Sequence, residues 1–195
     1  MKHNYWCSYN LLIKNMTDFT KTDLKTAQAE LLCDSETLQV TIHRLAQEIN
    51  TTLSDKEPLV LCVMNGAVVF AGQLLPLLDF PLTFDYVQVS RYHETLRGGE
   101  LKWIAAPPAD LRNRVVLIVD DVLDEGYTLA AINEKILDNG AQACYSVVLI
   151  NKQTGRKKPA QADFIGMDLP DRYIFGFGMD LHGKWRNLPA IYALD

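Results

Sequence analysis

Residues 115–130 read VVLIVDDVLDEGYTLA, and this stretch decides the fold. It begins with five apolar residues, four of them β-branched, which is typical of a strand buried on both faces in a parallel sheet. Asp120 and Asp121 follow directly, and Asp124 precedes a glycine and a segment with helical spacing. We therefore expect a strand, a tight turn at Gly126 and a helix, in that order.

The turn between the predicted strand and helix has the chemistry of a phosphate site. Backbone N–H groups at a helix N-terminus carry partial positive charge and bind phosphate oxygens. The neighbouring acids would repel a phosphate, so we expect them to bind sugar hydroxyls, a divalent cation or a proton. Solvated acids at a strand tip are the simpler alternative. Three aspartates, a glycine and a threonine within nine residues favour a binding site instead.

The composition indicates a globular protein with no charge bias towards nucleic acid or membranes. Apolar residues make up 48% of the chain and charged residues 22%, which argues against disorder. The net charge of −5 gives no long-range attraction for nucleic acid or anionic lipid, so we expect neither as a partner. The four cysteines form no CxxC pair, and the first residues lack the pattern of a signal peptide. We therefore expect a reduced, cytoplasmic protein.

Alternating apolar runs and amphipathic segments predict an α/β fold. The predicted strands are 59–64, 82–89, 115–119, 144–150, 162–167 and 173–177, and the predicted helices are 35–53, 67–78 and 128–139, with a short one within 18–32. Strands that are apolar throughout form parallel sheets covered on both faces, and ligands bind at their carboxyl ends. The turns at 65–66, 120–128 and 151–152 should therefore converge at one edge. The basic cluster at 156–158 is expected to be a solvated loop.

The acid motif is similar to the phosphoribosyl-pyrophosphate motif of type I phosphoribosyltransferases, and further segments match one branch of that family. These segments stand in the family's order: LINK at 149–152, ADFIGMDLPDRYIFGFGMDL at 162–181 and KWRNLP at 184–189. From about residue 38 onwards, the chain resembles the hypoxanthine-guanine phosphoribosyltransferases. The resemblance implies the type I phosphoribosyltransferase fold, a twisted, mostly parallel sheet flanked by helices, in a single domain. Its core would span about 36–160, with a small hood from about 1–35 and 161–195.

The resemblance also implies an activity in purine salvage. The 5-phosphoribosyl group of phosphoribosyl pyrophosphate would pass to hypoxanthine or guanine, giving IMP or GMP and pyrophosphate. Mg²⁺ is the implied cofactor, and a homodimer or homotetramer is the implied assembly. Two alternatives stay open: a phosphoribosyltransferase specific for another base such as xanthine or adenine, and a non-catalytic regulatory relative that binds nucleotide or RNA.

For the acid motif, the resemblance implies the following roles. Asp124 matches the family's general base, which takes a proton from the imidazole side of the purine as the new bond forms. Asp120 and Asp121 would bind the ribose hydroxyls, directly or through the metal. The 5′-phosphate would contact the turn formed by Asp124, Glu125, Gly126, Tyr127 and Thr128.

The resemblance places the purine site on later segments. Lys152 would donate to the 6-oxo group, because an ammonium offers only donors and opposes the 6-amino group of adenine. Tyr173 would stack on the purine, and the backbone of Ile174 would read the edge of the base. Asp180 would lie beside the base and hold Mg²⁺. Arg186 would clamp the pyrophosphate, which suits the guanidinium fork.

The remaining expected contacts concern the leaving group. The turn at Asn65 and Gly66 would give N–H groups to the pyrophosphate, with a cis peptide there. Arg91 and Tyr92 would descend over it from a lid at 90–99. Glu125 stands where a threonine is common in the family, so its side chain should point away from the phosphate, and Asn65 stands where some relatives have a lysine.

The run VVLIVDD also resembles the opening of a phospho-receiver domain, and the length of the chain excludes this reading. Such a domain needs about 120 residues after the acid pair, and an acceptor aspartate at the end of a later strand. Only 74 residues follow Asp121, and the next predicted strand ends in Asn151 and Lys152.

Overall fold

The computed structural model describes residues 29–91 and 101–194, with side chains at all of these except Arg91 and Leu101. The helices are α1 (Ser35–Leu53), α2 (Val68–Leu74) and α3 (Tyr127–Asp138). The strands are β1 (Glu30–Cys33), β2 (Leu59–Met64), β3 (Thr83–Arg91), β4 (Leu101–Ala105), β5 (Val115–Leu123), β6 (Ala143–Gln153), β7 (Phe164–Pro170), β8 (Tyr173–Phe175) and β9 (Ile191–Leu194).

Six strands form the larger sheet, in the order β4-β3-β2-β5-β6-β7. Strand β4 pairs antiparallel with β3 at one edge, and all other neighbours in this sheet pair in parallel. The mostly parallel sheet is therefore confirmed. From β2 the chain continues to β3 on one side, whereas from β5 it continues to β6 on the other side. The strand order therefore reverses between β2 and β5, which makes this position a switch point. In sheets of this kind, ligands bind outside the strand ends at such a point.

The central strands are apolar throughout because helices cover both faces of the larger sheet. In β2, Val60 and Cys62 belong to the core that contains α1 and α2. Leu61 and Val63 belong to the core that contains α3. Alternate residues of a strand point to opposite faces, so each face requires its own apolar set.

Helix α1 confirms the predicted amphipathic pattern. The apolar residues that recur at helical spacing in this segment are all buried: Leu38, Ile42, Leu45, Ala46, Ile49 and Leu53. The helix begins where expected because the side chain of Asp34 accepts a hydrogen bond from the Thr37 N–H at 2.9 Å, as an N-cap residue does.

A second, three-stranded antiparallel sheet is built from the two ends of the described chain, in the order β1-β9-β8. The prediction of a short helix within 18–32 is wrong at its C-terminal end, because Glu30 and Leu31 are extended and pair with β9. Residues 18–28 lie outside the described residues. The division into core and hood stays a proposal; β7 is attached to the larger sheet, so that sheet extends to Pro170.

Several element boundaries differ from the prediction for local reasons. Helix α2 ends at Leu74 and continues as a 3₁₀ turn over Leu75–Leu77, because Pro76 cannot continue an α-helix. Strands β5 and β6 run past their predicted ends, to Leu123 and Gln153. Within the described ranges, no helix is long and apolar enough to cross a membrane.

Candidate active site

A cleft of about 390 Å³ lies where the carboxyl ends of β2, β5 and β6 face the three-stranded sheet. The wall from the larger sheet and its turns consists of Gly66, Asp121, Val122, Asp124 and Lys152. The opposite wall consists of Tyr173, Ile174, Met179, Asp180 and Arg186. The structure thus gathers eight of the predicted site residues around one space, and adds Val122 and Met179.

The turn after β2 approaches the acid motif closely. The peptide between Met64 and Asn65 is cis, at the turn where the resemblance implies one. A side-chain carbon at Gly66 would lie 1.9 Å from Oδ2 of Asp121, which is shorter than any real contact. Only glycine therefore lets the backbone of this turn pack directly against the Asp121 carboxylate.

The two adjacent acids lie within β5 rather than after it, and they differ in exposure. Asp120 is buried, with 6% of its surface exposed, whereas Asp121 lines the cleft. Burial raises the pKa of Asp121, and hydrogen bonds with Asp120, with its own amide and with Val122 oppose this rise, as does the charge of Arg186. A carboxylate whose charged form is disfavoured by its surroundings in this way gains most from a ligand that donates hydrogen bonds or brings positive charge.

Asp124 and Lys152 form an ion pair at the centre of the cleft. Lys152 Nζ lies 3.2 Å from Oδ2 of Asp124, with 12% of the lysine side chain and 48% of the aspartate side chain exposed. Asp124 directly follows β5, and Lys152 lies near the end of the neighbouring strand β6. The pair presents an acceptor beside a donor, which suits a ligand edge that carries a donor beside an acceptor.

The turn after β5 has the geometry of a helix N-terminus. Gly126 is the N-cap of α3 and has a φ of +85°, a conformation that favours glycine. Glu125 pairs with Arg156 at 3.4 Å, and its side chain does not line the cleft. Tyr127 begins the helix, and it and Thr128 lie beside the cleft wall rather than in it.

Arg186 and Asp180 form a rigid pair on the opposite wall. Arg186 Nη2 lies 2.7 Å from Oδ1 of Asp180, and Nη1 donates to the carbonyl of Gly178 at 2.7 Å. The second carboxylate oxygen of Asp180 accepts from the Gly183 N–H at 2.8 Å. The protein itself therefore holds the guanidinium in this position.

The purine-side residues Tyr173 and Ile174 lie on β8. Tyr173 is 52% exposed, and its hydroxyl donates to the carbonyl of Asp180 at 3.3 Å. Ile174 is buried and pairs with Ala193 of β9. The ring of Tyr173 thus presents an exposed surface beside the cleft. Ile174 is buried, so mainly its backbone is available to a ligand in the cleft.

The carboxylates of the cleft fit a Mg²⁺ ion that is shared with a substrate. In the described part of the chain, no group of three or more histidine, cysteine, aspartate and glutamate side chains is arranged as a metal site. Mg²⁺ is commonly held by one or two carboxylates together with substrate phosphates and water. Asp121 and Asp180 are two carboxylates of this kind, and they lie on opposite walls of the cleft.

Residues 31–182 match the family described as the phosphoribosyl transferase domain. The chain belongs to this family. The match runs from β1 to beyond Asp180 and includes every residue that lines the cleft except Arg186. In this phosphoribosyltransferase, the acid motif runs from the last part of β5 into the turn before α3.

Relatives of similar length cover most of this phosphoribosyltransferase. A hypoxanthine-guanine phosphoribosyltransferase of Bacillus subtilis is 33% identical over 85% of this chain and 92% of its own length. The corresponding enzyme of Aquifex aeolicus is 30% identical over 89% and 98%. A hypoxanthine-guanine-xanthine phosphoribosyltransferase of Tritrichomonas foetus is 33% identical over 90% and 96%.

Solved structures confirm the predicted fold of this phosphoribosyltransferase. A hypoxanthine phosphoribosyltransferase of Staphylococcus aureus has a TM-score of 0.80, with 29% identity over 85% of this chain and 91% of that chain. A hypoxanthine-guanine phosphoribosyltransferase of Bacillus anthracis also has a TM-score of 0.80, with 29% identity over 85% and 98%.

Some residues lie where sequence reasoning did not place them, or beyond what the structure describes. Val122 is next to a predicted site residue, and that adjacency was the only signal for it; Met179 lies beside Asp180, where the resemblance implies a backbone or water contact to the 2-position of the purine. The basic cluster at 156–158 is exposed at Arg156 and Lys157 as predicted, but the prediction is wrong for Lys158, whose ammonium points inward. The Arg91 side chain and Tyr92 lie outside the described residues, so their closing role stays a prediction.

Proposed function

We propose that this phosphoribosyltransferase transfers the 5-phosphoribosyl group of phosphoribosyl pyrophosphate to hypoxanthine or guanine, giving IMP or GMP and pyrophosphate in purine salvage. The ion pair of Lys152 and Asp124, at 3.2 Å, carries the assignment of the base. A 6-oxopurine presents an imidazole N–H beside its 6-oxo oxygen. Asp124 accepts from the N–H and Lys152 donates to the oxygen, whereas adenine would set its 6-amino group against the ammonium.

Asp124 is the general base of the proposed reaction. The purine nitrogen forms a bond to the anomeric carbon while the bond from that carbon to the pyrophosphate oxygen breaks, and pyrophosphate leaves with the electron pair. The purine would become cationic as the bond forms, so its imidazole proton passes to the Asp124 carboxylate. With half of its side chain exposed, Asp124 can return that proton to solvent.

The ribose 5-phosphate lies at the turn between β5 and α3 in this proposal. An α-helix leaves the N–H groups of its first turn without an intrahelical acceptor, and these bind phosphate. The binding turn consists of Asp124, Glu125, Gly126, Tyr127 and Thr128. Asp120 and Asp121 accept hydrogen bonds from the ribose hydroxyls, which compensates for the burial that raises the pKa of Asp121.

Pyrophosphate lies between the two walls. Arg186 donates to it from one side, and the N–H groups of Asn65 and Gly66 donate from the other, while Tyr173 stacks on the purine. When bound, Mg²⁺ neutralises charge on the pyrophosphate, and Asp180, Asp120 and Asp121 are the carboxylates that would hold it.

A homodimer or homotetramer in the cytoplasm completes the proposal. Exposed aromatic and apolar side chains on β3 and β4, namely Phe84, Tyr86 and Ile104, support subunit contacts. The cysteines at positions 33, 62 and 144 are free thiols, which supports a reducing compartment.

The test is an assay of nucleotide formation from phosphoribosyl pyrophosphate and Mg²⁺ with hypoxanthine, guanine, xanthine, adenine or orotate. We expect turnover of 6-oxopurines and none of adenine or orotate. Asp124→Asn should lower kcat by about 10²–10⁴-fold, the usual contribution of a general base. Asp138→Asn, at an exposed position on α3, is the matched control and should leave kcat unchanged.

The other outcomes separate the alternatives. Turnover of adenine would overturn the role of Lys152. Turnover of xanthine alone would narrow the substrate to that base. Binding of phosphoribosyl pyrophosphate without turnover of any base would support the regulatory alternative instead.

A further inference from the structure

Lys158 lies outside the cleft but is bonded to both strands that carry its central ion pair. Its ammonium donates three hydrogen bonds, each of 2.7 Å: to the carbonyl of Leu123, to Oδ1 of Asn151 and to the carbonyl of Lys152. An ammonium has three donors, so all of them are used. The ammonium of a solvated surface lysine would donate these hydrogen bonds to water.

The three acceptors flank the reacting groups. Leu123 is the last residue of β5 and directly precedes Asp124, and Leu123 lies opposite Asn151 in the β5–β6 register. The third acceptor is the backbone of Lys152, whose side chain reaches Asp124. One cation therefore holds the backbone on both sides of the ion pair of Asp124 and Lys152.

The contacts of Lys158 and its hydrogen-bond partners extend in two further directions. The side-chain amide of Asn151 donates to Oδ1 of Asp168 on β7 at 2.7 Å, so the network also engages the neighbouring strand. The stem of Lys158 lies behind the phosphate-binding turn, since a side-chain carbon at Gly126 would lie 3.2 Å from Cβ of Lys158. A shift of Lys158 would thus be felt by the turn and by both strand ends.

We propose that Lys158 is a positioning residue that fixes Asp124 and Lys152 relative to each other, so that their spacing matches the N–H and the 6-oxo oxygen of the purine. This inference rests on the function proposed above. Lys158 does not touch the substrate and acts through the two residues that do. Loss of its hydrogen bonds would leave the strand ends to move independently, and small displacements of reacting groups are costly for catalysis.

The experiment compares Lys158→Met, which keeps the stem and removes all donors, with Lys157→Met at the exposed neighbouring lysine. With hypoxanthine as substrate, Lys158→Met should lower kcat by about 10–100-fold and raise the KM for the base by about threefold or more. The KM for phosphoribosyl pyrophosphate should stay within about twofold of the wild-type value, because methionine keeps the stem that lies behind the phosphate-binding turn, and Arg186 and the turn at Asn65 lie elsewhere. Lys157→Met should match the wild type.

A double-mutant cycle separates positioning from general stabilisation. If Lys158 acts through Asp124, Lys158→Met should lower kcat much less in an Asp124→Asn background than in the wild type. A merely structural role predicts equal effects in both backgrounds, and that result would overturn the proposal.

The remaining outcomes are also decisive. If Lys158→Met does not fold, Lys158→Gln, which is shorter and uncharged, is measured against the same criteria. If the wild type turns over hypoxanthine and the Lys158 variants have the same kinetics as Lys157→Met, the positioning role is contradicted. The proposed function is not contradicted by that result. A wild type that turns over no 6-oxopurine contradicts the proposed function itself.

Discussion

Asp121 shows how a carboxylate that lines the cleft can oppose the stability of its own fold. It lines the cleft and contacts the turn at Gly66, and burial raises its pKa. A carboxyl whose pKa is higher in the folded than in the unfolded state stabilises the fold only while it is protonated. That contribution is fully present below the unfolded pKa of about 4 and is lost as the pH rises through the folded pKa.

We therefore expect Asp121→Asn to be more heat-stable than the wild type at pH 7. The amide keeps the oxygen that accepts from the Val122 N–H at 3.0 Å and never carries the buried charge. In a domain of this size, a gain of ~1 kcal/mol raises Tm by about 2–4 °C. Activity should fall, since the ribose hydroxyls lose a charged acceptor.

The measurement is thermal unfolding of both proteins between about pH 4 and pH 8. The difference in Tm should be small at the acidic end and grow towards neutral pH. Glu134→Gln, at an exposed carboxyl on α3, controls for the loss of one negative charge. A difference that shrinks as the pH rises would show that the Asp121 carboxylate is stabilised by the fold.

At the scale of elements, the active site depends on one close approach between connections. The segment between β8 and β9 touches the turn between β2 and α2 at Gly178. A side-chain carbon there would lie 2.0 Å from the carbonyl oxygen of Gly66, and the φ of Gly178 is +103°. Gly178 also exchanges backbone and side-chain hydrogen bonds with Arg186. The two walls of the cleft are therefore joined through this glycine.

Gly178→Ala should separate these connections and damage both stability and substrate binding. The clash is with backbone, and the conformation is strained for any side chain, so we expect a loss of about 2 kcal/mol or more. The KM for phosphoribosyl pyrophosphate should rise, because Arg186 and the turn at Gly66 both shift. Chemical denaturation and initial-rate kinetics measure the two effects.

Gly155→Ala provides the matched control for this prediction. Gly155 also has a positive φ, of +68°, but no atom lies within 4 Å of the side-chain carbon that alanine would add. It therefore reports the backbone strain without the clash. Equal losses in Gly155→Ala and Gly178→Ala would mean that the contact with Gly66 contributes nothing.

For the whole molecule, the important relation is that the cleft has one wall from each sheet. A ligand that contacts both walls favours the state in which they are packed together, so binding should stabilise the entire fold. At a ligand concentration 100 times its Kd, this linkage amounts to ~2.7 kcal/mol, or a rise in Tm of about 5–10 °C.

We expect phosphoribosyl pyrophosphate with Mg²⁺ to raise Tm in this way. Two variants should differ in how much of this rise in Tm they retain. Arg186→Ala should remove most of the shift, since the guanidinium is the cation of the pyrophosphate side. Lys152→Met should keep the shift, since Lys152 faces the purine. Thermal unfolding with and without ligand gives the answer, and equal loss in both variants would contradict the separation of the two subsites.

Much of the larger sheet was predictable because its signals are local. The β-branched run of β5, the amphipathic face of α1 and the glycine at position 126 each act within a few residues. Their limits were less predictable. Strands β5 and β6 continue past their apolar cores because each pairs with a neighbour, and a polar residue such as Asp120 or Lys152 stays in a strand when its partner holds it there.

The sequence by itself determined the α/β class, the acid motif at the end of β5 and the residues that could face a purine nucleotide. The class and the acid motif follow from periodicity and from short motifs, whereas the residues that could face a purine nucleotide follow from the resemblance to the hypoxanthine-guanine phosphoribosyltransferases. Only the tertiary structure decided which of these residues share the cleft, that Gly178 touches Gly66, and that Lys158 turns inward beside two exposed basic neighbours. The physical reason is that a side chain's partners are set by strand order and by the packing of two sheets, which join residues far apart along the chain.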